Sequence, residues 1–201
     1  MKPGMCKEGT CKVLTPSWAQ KPALYKPGTS MFCYSTYFED MGPDAPANHQ
    51  LALLQKQAQA GASIFACSGW KVYGDTAATI GGSPVTVVSN PGDWHKFTRK
   101  DKPGLWANAM MYYSVWQAMA ADKMWSDHAW TVKVDPWSVF IPQRLINFLS
   151  TQDVTQTGVY YDTCKGVLEG YFGNLEVSSH QAMAAFLEQL GSCKAKLGYD
   201  G

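Results

Sequence analysis

The run from His128 to Leu149, HAWTVKVDPWSVFIPQRLINFL, constrains the chain more than any other stretch. Its residues Trp130-Thr131-Val132-Lys133-Val134 alternate large apolar with polar side chains at the period of two that a strand requires. Asp135-Pro136 ends that strand, because proline has no N–H for a sheet ladder and holds the residue before it extended. Asp135 is therefore expected at the carboxyl end of a core strand, the edge where open α/β sheets take their ligands. Pro142 fits the first turn of a helix that carries Leu145, Ile146 and Leu149.

A strand that ends on an acidic residue and is followed by Val139-Phe140, Pro142, Leu145 and Phe148-Leu149 resembles the central region of the nucleotide-sugar-dependent glycosyltransferases of the GT-A fold. In that family the strand ends in an aspartate-any-aspartate motif that holds a divalent metal and the donor's diphosphate. The nearest likeness is to a set of algal proteins with KVDPDxVF at this point. This chain reads Lys133-Val134-Asp135-Pro136-Trp137-Ser138-Val139-Phe140, so the first aspartate is present and the second position is Trp137. An indole has one N–H and no oxygen, so it cannot ligate a hard cation. The family also carries an acidic donor-side residue after a strand ending in IFAC, where this chain has Ser68.

The resemblance implies a GT-A-like α/β fold with a mostly parallel central sheet, and Asp135, Ser68 and Trp137 as positions of a degenerate donor site. In an active form, Asp135 would hold Mg²⁺ or Mn²⁺ beside a nucleotide sugar, with His180 as a further metal ligand. Glu176, on a family acidic position, and Asp127 are the candidates for the base that takes the acceptor hydroxyl's proton. Each also has a structural reading: Asp135 as the cap of a turn, Glu176 as a strand-edge carboxylate, His180 as a helix-start residue. With two donor-side losses, the expectation is a non-catalytic structural or accessory subunit of a larger, membrane-associated algal complex, with no cofactor. An active glycosyltransferase and a carbohydrate-binding module built on exposed Trp and Tyr are the alternatives.

The rest of the chain fits one α/β domain over residues 29–201, preceded by an irregular proline-bearing arm over 1–28. SMFCYSTYF, Ser30 to Phe38, reads as the first core strand, HQLALLQKQAQA as a helix that Asn48 caps and Gly61 stops, and Ser63 to Tyr73 as a second strand through Ile64-Phe65-Ala66-Cys67. Strand, helix, strand is the βαβ unit of a parallel sheet. Val85 to Val88 is a further short strand, and Gly81-Gly82 lacks the setting of a phosphate loop. PGLWANAMMYYSVWQAMAA, Pro103 to Ala121, has no charged residue and reads as a helix buried on the sheet rather than one crossing a bilayer. Ser178 or Ser179 caps the last helix, HQAMAAFLEQL.

Composition narrows the partners. Seventeen basic and sixteen acidic residues leave a net charge of +1, with no basic run to attract nucleic acid. A charged content of 16%, with eight Trp and ten Tyr, suits a well-filled core, and the alternative is that some of these aromatic side chains line a partner surface. The six cysteines are even in number and lack zinc-site doublets; sequential pairing Cys6–Cys11, Cys33–Cys67 and Cys164–Cys193 joins segments expected to be neighbours, and six reduced, mostly buried thiols are the alternative. Three bridges would imply an oxidising lumen or an extracellular location. MKPGMCKEGTCK has no apolar stretch, so the address is expected outside this chain.

Overall fold

Strand β1 (Met31–Tyr37) is buried along all seven of its residues, which requires cover on both faces of the sheet. A computed structural model, describing residues 30–39, 49–89, 109–152, 158–161 and 174–192, shows how that cover is supplied. Chain order runs from β1 through α1 (Gln50–Gln59), β2 (Gly69–Gly74), the short strands β3 (Thr79–Ile80), β4 (Ser83–Pro84) and β5 (Thr86–Val87), then α2 (Ala109–Asp122). It continues through β6 (Trp130–Val134), α3 (Pro142–Leu149), β7 (Tyr160–Tyr161), β8 (Leu175–Ser179) and α4 (His180–Glu188).

Six strands form one mixed sheet in the order β5-β2-β1-β6-β8-β7. The first four are mutually parallel; β8 runs antiparallel to β6, and β7 antiparallel to β8. The fold is thus mixed α/β with a mostly parallel sheet, as expected. Alternation along β1 feeds two cores. Met31, Cys33 and Tyr37 meet Leu54 of α1 and Leu149 of α3 together with Val72, Trp130 and Val132. Phe32, Tyr34 and Phe38 meet Val115 and Met119 of α2 and Met183 and Leu187 of α4. The apolar helix α2 accordingly lies on the sheet, and Trp116 sets its ring edge-to-face on Phe186 of α4 at 4.8 Å. Among the described residues, no helix is long and apolar enough to cross a membrane.

Local signals act as the residues demand. Pro142 occupies the first turn of α3, and Ser179 caps α4 by accepting from the Ala182 N–H. Gly61 takes φ +57 just past α1, and Gly81 and Gly82 take φ +58 and +80 in a two-residue turn that joins β3 to β4 as a hairpin. Helix α1 starts after His49, which makes no side-chain cap bond; Asn48 lies outside the described residues.

The second strand differs from the sequence expectation. Ser63–Ala66 is a 3-10 turn, and β2 begins only at Gly69. Ser63 enters the turn at φ +56, Ile64 drops into the core with none of its surface exposed, and Cys67 is bonded to Cys33 in the middle of β1. Apolar Ile64-Phe65-Ala66 therefore plugs the end of the sheet rather than pairing within it.

The Cys33–Cys67 disulfide is formed as expected, and such a bond is compatible with an oxidising compartment. Cys6, Cys11, Cys164 and Cys193 and the arm over 1–28 lie outside the described residues. The bond closes a loop spanning 34 positions, a length for which chain entropy gives a stabilisation of about 2–4 kcal/mol. The double variant C33A/C67A should lower the unfolding free energy by that amount, and with it the urea midpoint, relative to the oxidised protein, and reductant should then have no further effect on it. An unchanged midpoint would mean that the bond contributes nothing.

Candidate functional site

From β1 the chain builds β2 and β5 on one side, and α2 then carries it across to β6 on the other. The reversal falls between β1 and β6, and the crevice beyond their carboxyl ends is where such sheets bind ligands. Three strand residues and Asp135, just past the end of β6, converge there on the α2 face. Tyr34, Lys133 and Glu176 form one row across the sheet, because Lys133 pairs in register with Tyr34 on β1 and with Glu176 on β8. Asp135 follows two residues after Lys133 and therefore points to the same face.

The Lys133 ammonium group lies 3.0 Å from Asp135 Oδ1 and 3.2 Å from Glu176 Oε1. It also lies 4.6 Å from the centre of the Tyr112 ring, which α2 lays over it. The Tyr112 hydroxyl is 3.3 Å from Thr36 Oγ1. Lys133 and Asp135 are 6% and 8% exposed, so this is a buried ion cluster and not a surface bridge. Breaking such a cluster leaves uncompensated charge inside the protein.

Ionisation follows from that setting. Burial alone would push the lysine down, but Tyr112, Glu176 and Asp135 outweigh it and hold the ammonium form well above the usual lysine range. Burial raises the Glu176 carboxyl above its ordinary value against the pull of Lys133. Tyr34 and Tyr112 are likewise pushed up, first by burial, so both remain phenols.

The turn after β6 is fixed by Asn174. Its carbonyl accepts from the Asp135 N–H at 3.0 Å and from Ser138 Oγ at 3.3 Å, and its side-chain oxygen accepts from the Trp137 indole N–H at 3.3 Å. Trp137 is 54% exposed and stands at the rim beside the cluster. Asp135, Trp137 and Glu176 are thus brought together at the carboxyl end of the sheet.

Ser68, Asp127 and His180 lie at the opposite end. Ser68 precedes β2, and its hydroxyl accepts from the Met31 N–H at 3.3 Å at the start of β1. Asp127 ends a 3-10 turn, Met124–Asp127, just before β6. His180 begins α4, with Nδ1 3.2 Å from the His128 carbonyl and its ring 5.2 Å from that of Trp125. The length of β6, about 16 Å at 3.3 Å per residue, separates these groups from Asp135. His180 and Asp135 are therefore not placed to share a metal, and Ser68 does not face the crevice.

A divalent cation does not fit the residues present at the carboxyl end. An ammonium already stands within 3.2 Å of both carboxylates, and the indole of Trp137 supplies no oxygen. Among the described residues, no three His, Cys, Asp or Glu are grouped to hold a metal. Lys133 and Tyr112 are the site residues that motif reasoning passes over. The signal for Lys133 was in the strand itself, where positions 133 and 135 must share a face.

At the amino end, His128 packs against Phe32 with centroids 5.9 Å apart and lies over Gly69, where a Cβ would come within 2.5 Å of its Nε2. Burial lowers the pKa of His128 and of His180, with Asp127 opposing in both. A histidine held neutral in the folded state binds fewer protons there than in the unfolded chain. The stability it contributes is complete above the ordinary histidine value, about 6.5, and is lost as pH falls below it. The urea midpoint should fall between neutral pH and pH about 5, and the double variant H128Q/H180Q should flatten that fall.

Lys133→Met should destabilise the protein by about 3–5 kcal/mol at neutral pH, because the buried carboxylate of Asp135 and the partly buried one of Glu176 then stand without their cation. Part of the loss should return on acidification. Burial raises the Glu176 pKa and Lys133 opposes that rise, so without the lysine the carboxyl is pushed further up, takes its proton in the folded variant first, and stability is gained as pH falls through that value. Denaturant unfolding of both proteins across the pH range checks the size and the sign. Compared with family models, with curated proteins and with solved structures, the chain matches none.

Proposed function

We propose that this chain is a GT-A-like scaffold that no longer catalyses and serves as a structural or accessory subunit in a larger protein assembly. The observation that carries the reading is the Lys133 ammonium at 3.0 and 3.2 Å from Asp135 and Glu176. In the likeness drawn from the sequence, these are the acidic positions on the donor and acceptor sides. A side-chain cation there neutralises the carboxylates permanently, where an active enzyme of this kind would need them for a metal or for a proton. Trp137 at the second motif position removes the other oxygen ligand.

Sheet order supports the scaffold half of the proposal. β5-β2-β1-β6 follow the 3-2-1-4 order of a doubly wound nucleotide-binding sheet, and β8 and β7 extend it by antiparallel pairing at the β6 edge. The fold by itself does not select an activity, so the weight falls on the chemistry of the carboxyl end.

Thermal unfolding with UDP-, GDP- and CMP-sugars, with and without Mn²⁺, tests the reading, since a ligand of the native state must stabilise it. A flat response is expected. Stabilisation that needs both metal and nucleotide sugar, about 2.7 kcal/mol at a hundredfold excess over Kd, would establish an active donor site instead. Stabilisation by free sugars alone would favour a carbohydrate-binding module. Trp137→Asp alone should leave the Mn²⁺ response flat because Lys133 still occupies the carboxylates, whereas W137D/K133A should acquire one.

A further inference from the structure

We propose that the junction between the start of β6 and the start of α4 is an acid-released clasp, which lets α4 part from the sheet at mildly acidic pH while the sheet itself stays folded. Among the described residues, four buried side-chain polar atoms meet no hydrogen-bond partner: His128 Nδ1, Trp130 Nε1, Thr131 Oγ1 and Gln181 Oε1. They lie on residues 128–131 and 181, two places that the His180 N–H joins by donating to the Ala129 carbonyl at 2.8 Å. A buried polar atom without a partner has lost its water and gained nothing in exchange. The junction is therefore the least satisfied part of the described interior. Thr131 pairs with Phe32 and shares its face with Lys133, on the side of the sheet that α2 and α4 cover, so parting α4 lets water reach it. Openings of this kind start where burial is least well compensated.

Two imidazoles make the junction answer to protons. His180 is the first residue of α4 after the Ser179 cap, with Nδ1 3.2 Å from the His128 carbonyl. A positive charge there stands at the positive end of the helix dipole. The His128 ring lies over Gly69 and against Phe32. A protonated ring needs acceptors for two N–H groups, and the buried Nδ1 of His128 has none. Among the described residues, the 3-10 turn before β6 brings Asp127, which favours the charged form of both rings, and Trp125, 5.2 Å from His180. Phe32 on β1 and Gly69 on β2 do not titrate. Burial outweighs Asp127, so both imidazoles are held below the ordinary histidine value while the clasp is closed. Protons consequently bind the open form more tightly and draw the junction apart. The clasp lies at the amino end of the sheet, so it is independent of the chemistry proposed for the carboxyl end.

Native-state amide exchange in low urea, followed by residue from pH about 7.5 to pH about 5.5, tests the proposal. The amides of His180 and Ala182 should exchange through an opening that urea hardly affects, because it exposes little surface. Those of β1 should exchange only through urea-sensitive unfolding. The constant for the α4 opening should rise by about tenfold for each imidazole over this range, and so by up to about a hundredfold. H128Q/H180Q should lose that rise. Should the double variant fail to fold, H180Q alone should lose one of the two tenfold factors. Exchange at α4 that merges with that of β1 at every pH would overturn the proposal, as would an opening constant that pH leaves unchanged or a rise that the substitutions leave intact.

Discussion

An ammonium group inside a sheet has to be met by opposite charge, since desolvating a single ion costs several kcal/mol. The carboxyl end of this sheet is arranged around that need. Lys133 points from the middle strand of the β1-β6-β8 trio to the face that α2 closes, and every group about it answers its charge or its hydration. Glu176 reaches it from the neighbouring strand, Asp135 from two residues along its own, and the Tyr112 ring from the covering helix. With the cation resident, both carboxylates already have a counter-charge, and that is the physical content of the non-catalytic proposal.

Because β1 is buried on both sides, the two ends of the sheet carry different burdens. The carboxyl end holds the ion cluster. The amino end is closed by side chains that bond backbone: Ser68 on Met31, Ser30 on Ala129 and His180 on the His128 carbonyl. The Cys33–Cys67 bond ties the 3-10 turn at that end to the centre of β1. Residues that resemble a donor site in the sequence thus divide between a charged crevice and a closed, structural seam.

Much of the architecture was legible because it rests on short-range physics. The alternation from Trp130 to Val134 gives β6 its bounds, Pro136 its end, Pro142 the first turn of α3 and Ser179 the cap of α4. Pairing of Cys33 with Cys67 followed from treating two adjacent segments as neighbours across a βαβ unit. Of the candidate site, Asp135, Trp137 and Glu176 share the carboxyl end, while Ser68, Asp127 and His180 sit about one strand length away. An apolar run such as Ile64-Phe65-Ala66 fits a strand or a buried turn equally well by periodicity. Cover by the core and the covalent tie to Cys33 selected the turn.

By itself, the sequence determined the type of most elements and the chemistry of each position, because propensity, capping and proline geometry act within a few residues. It determined that Trp137 offers no oxygen and that Lys133 and Asp135 share a face. Only the tertiary structure decided that Ser68 and His180 stand at the end opposite Asp135, that Glu176 stands beside Lys133 in register, and that Val139 and Ile141 point to solvent rather than to the core. Those outcomes depend on strand direction and on pairing between residues more than forty positions apart, such as Lys133 and Glu176. No local pattern encodes them.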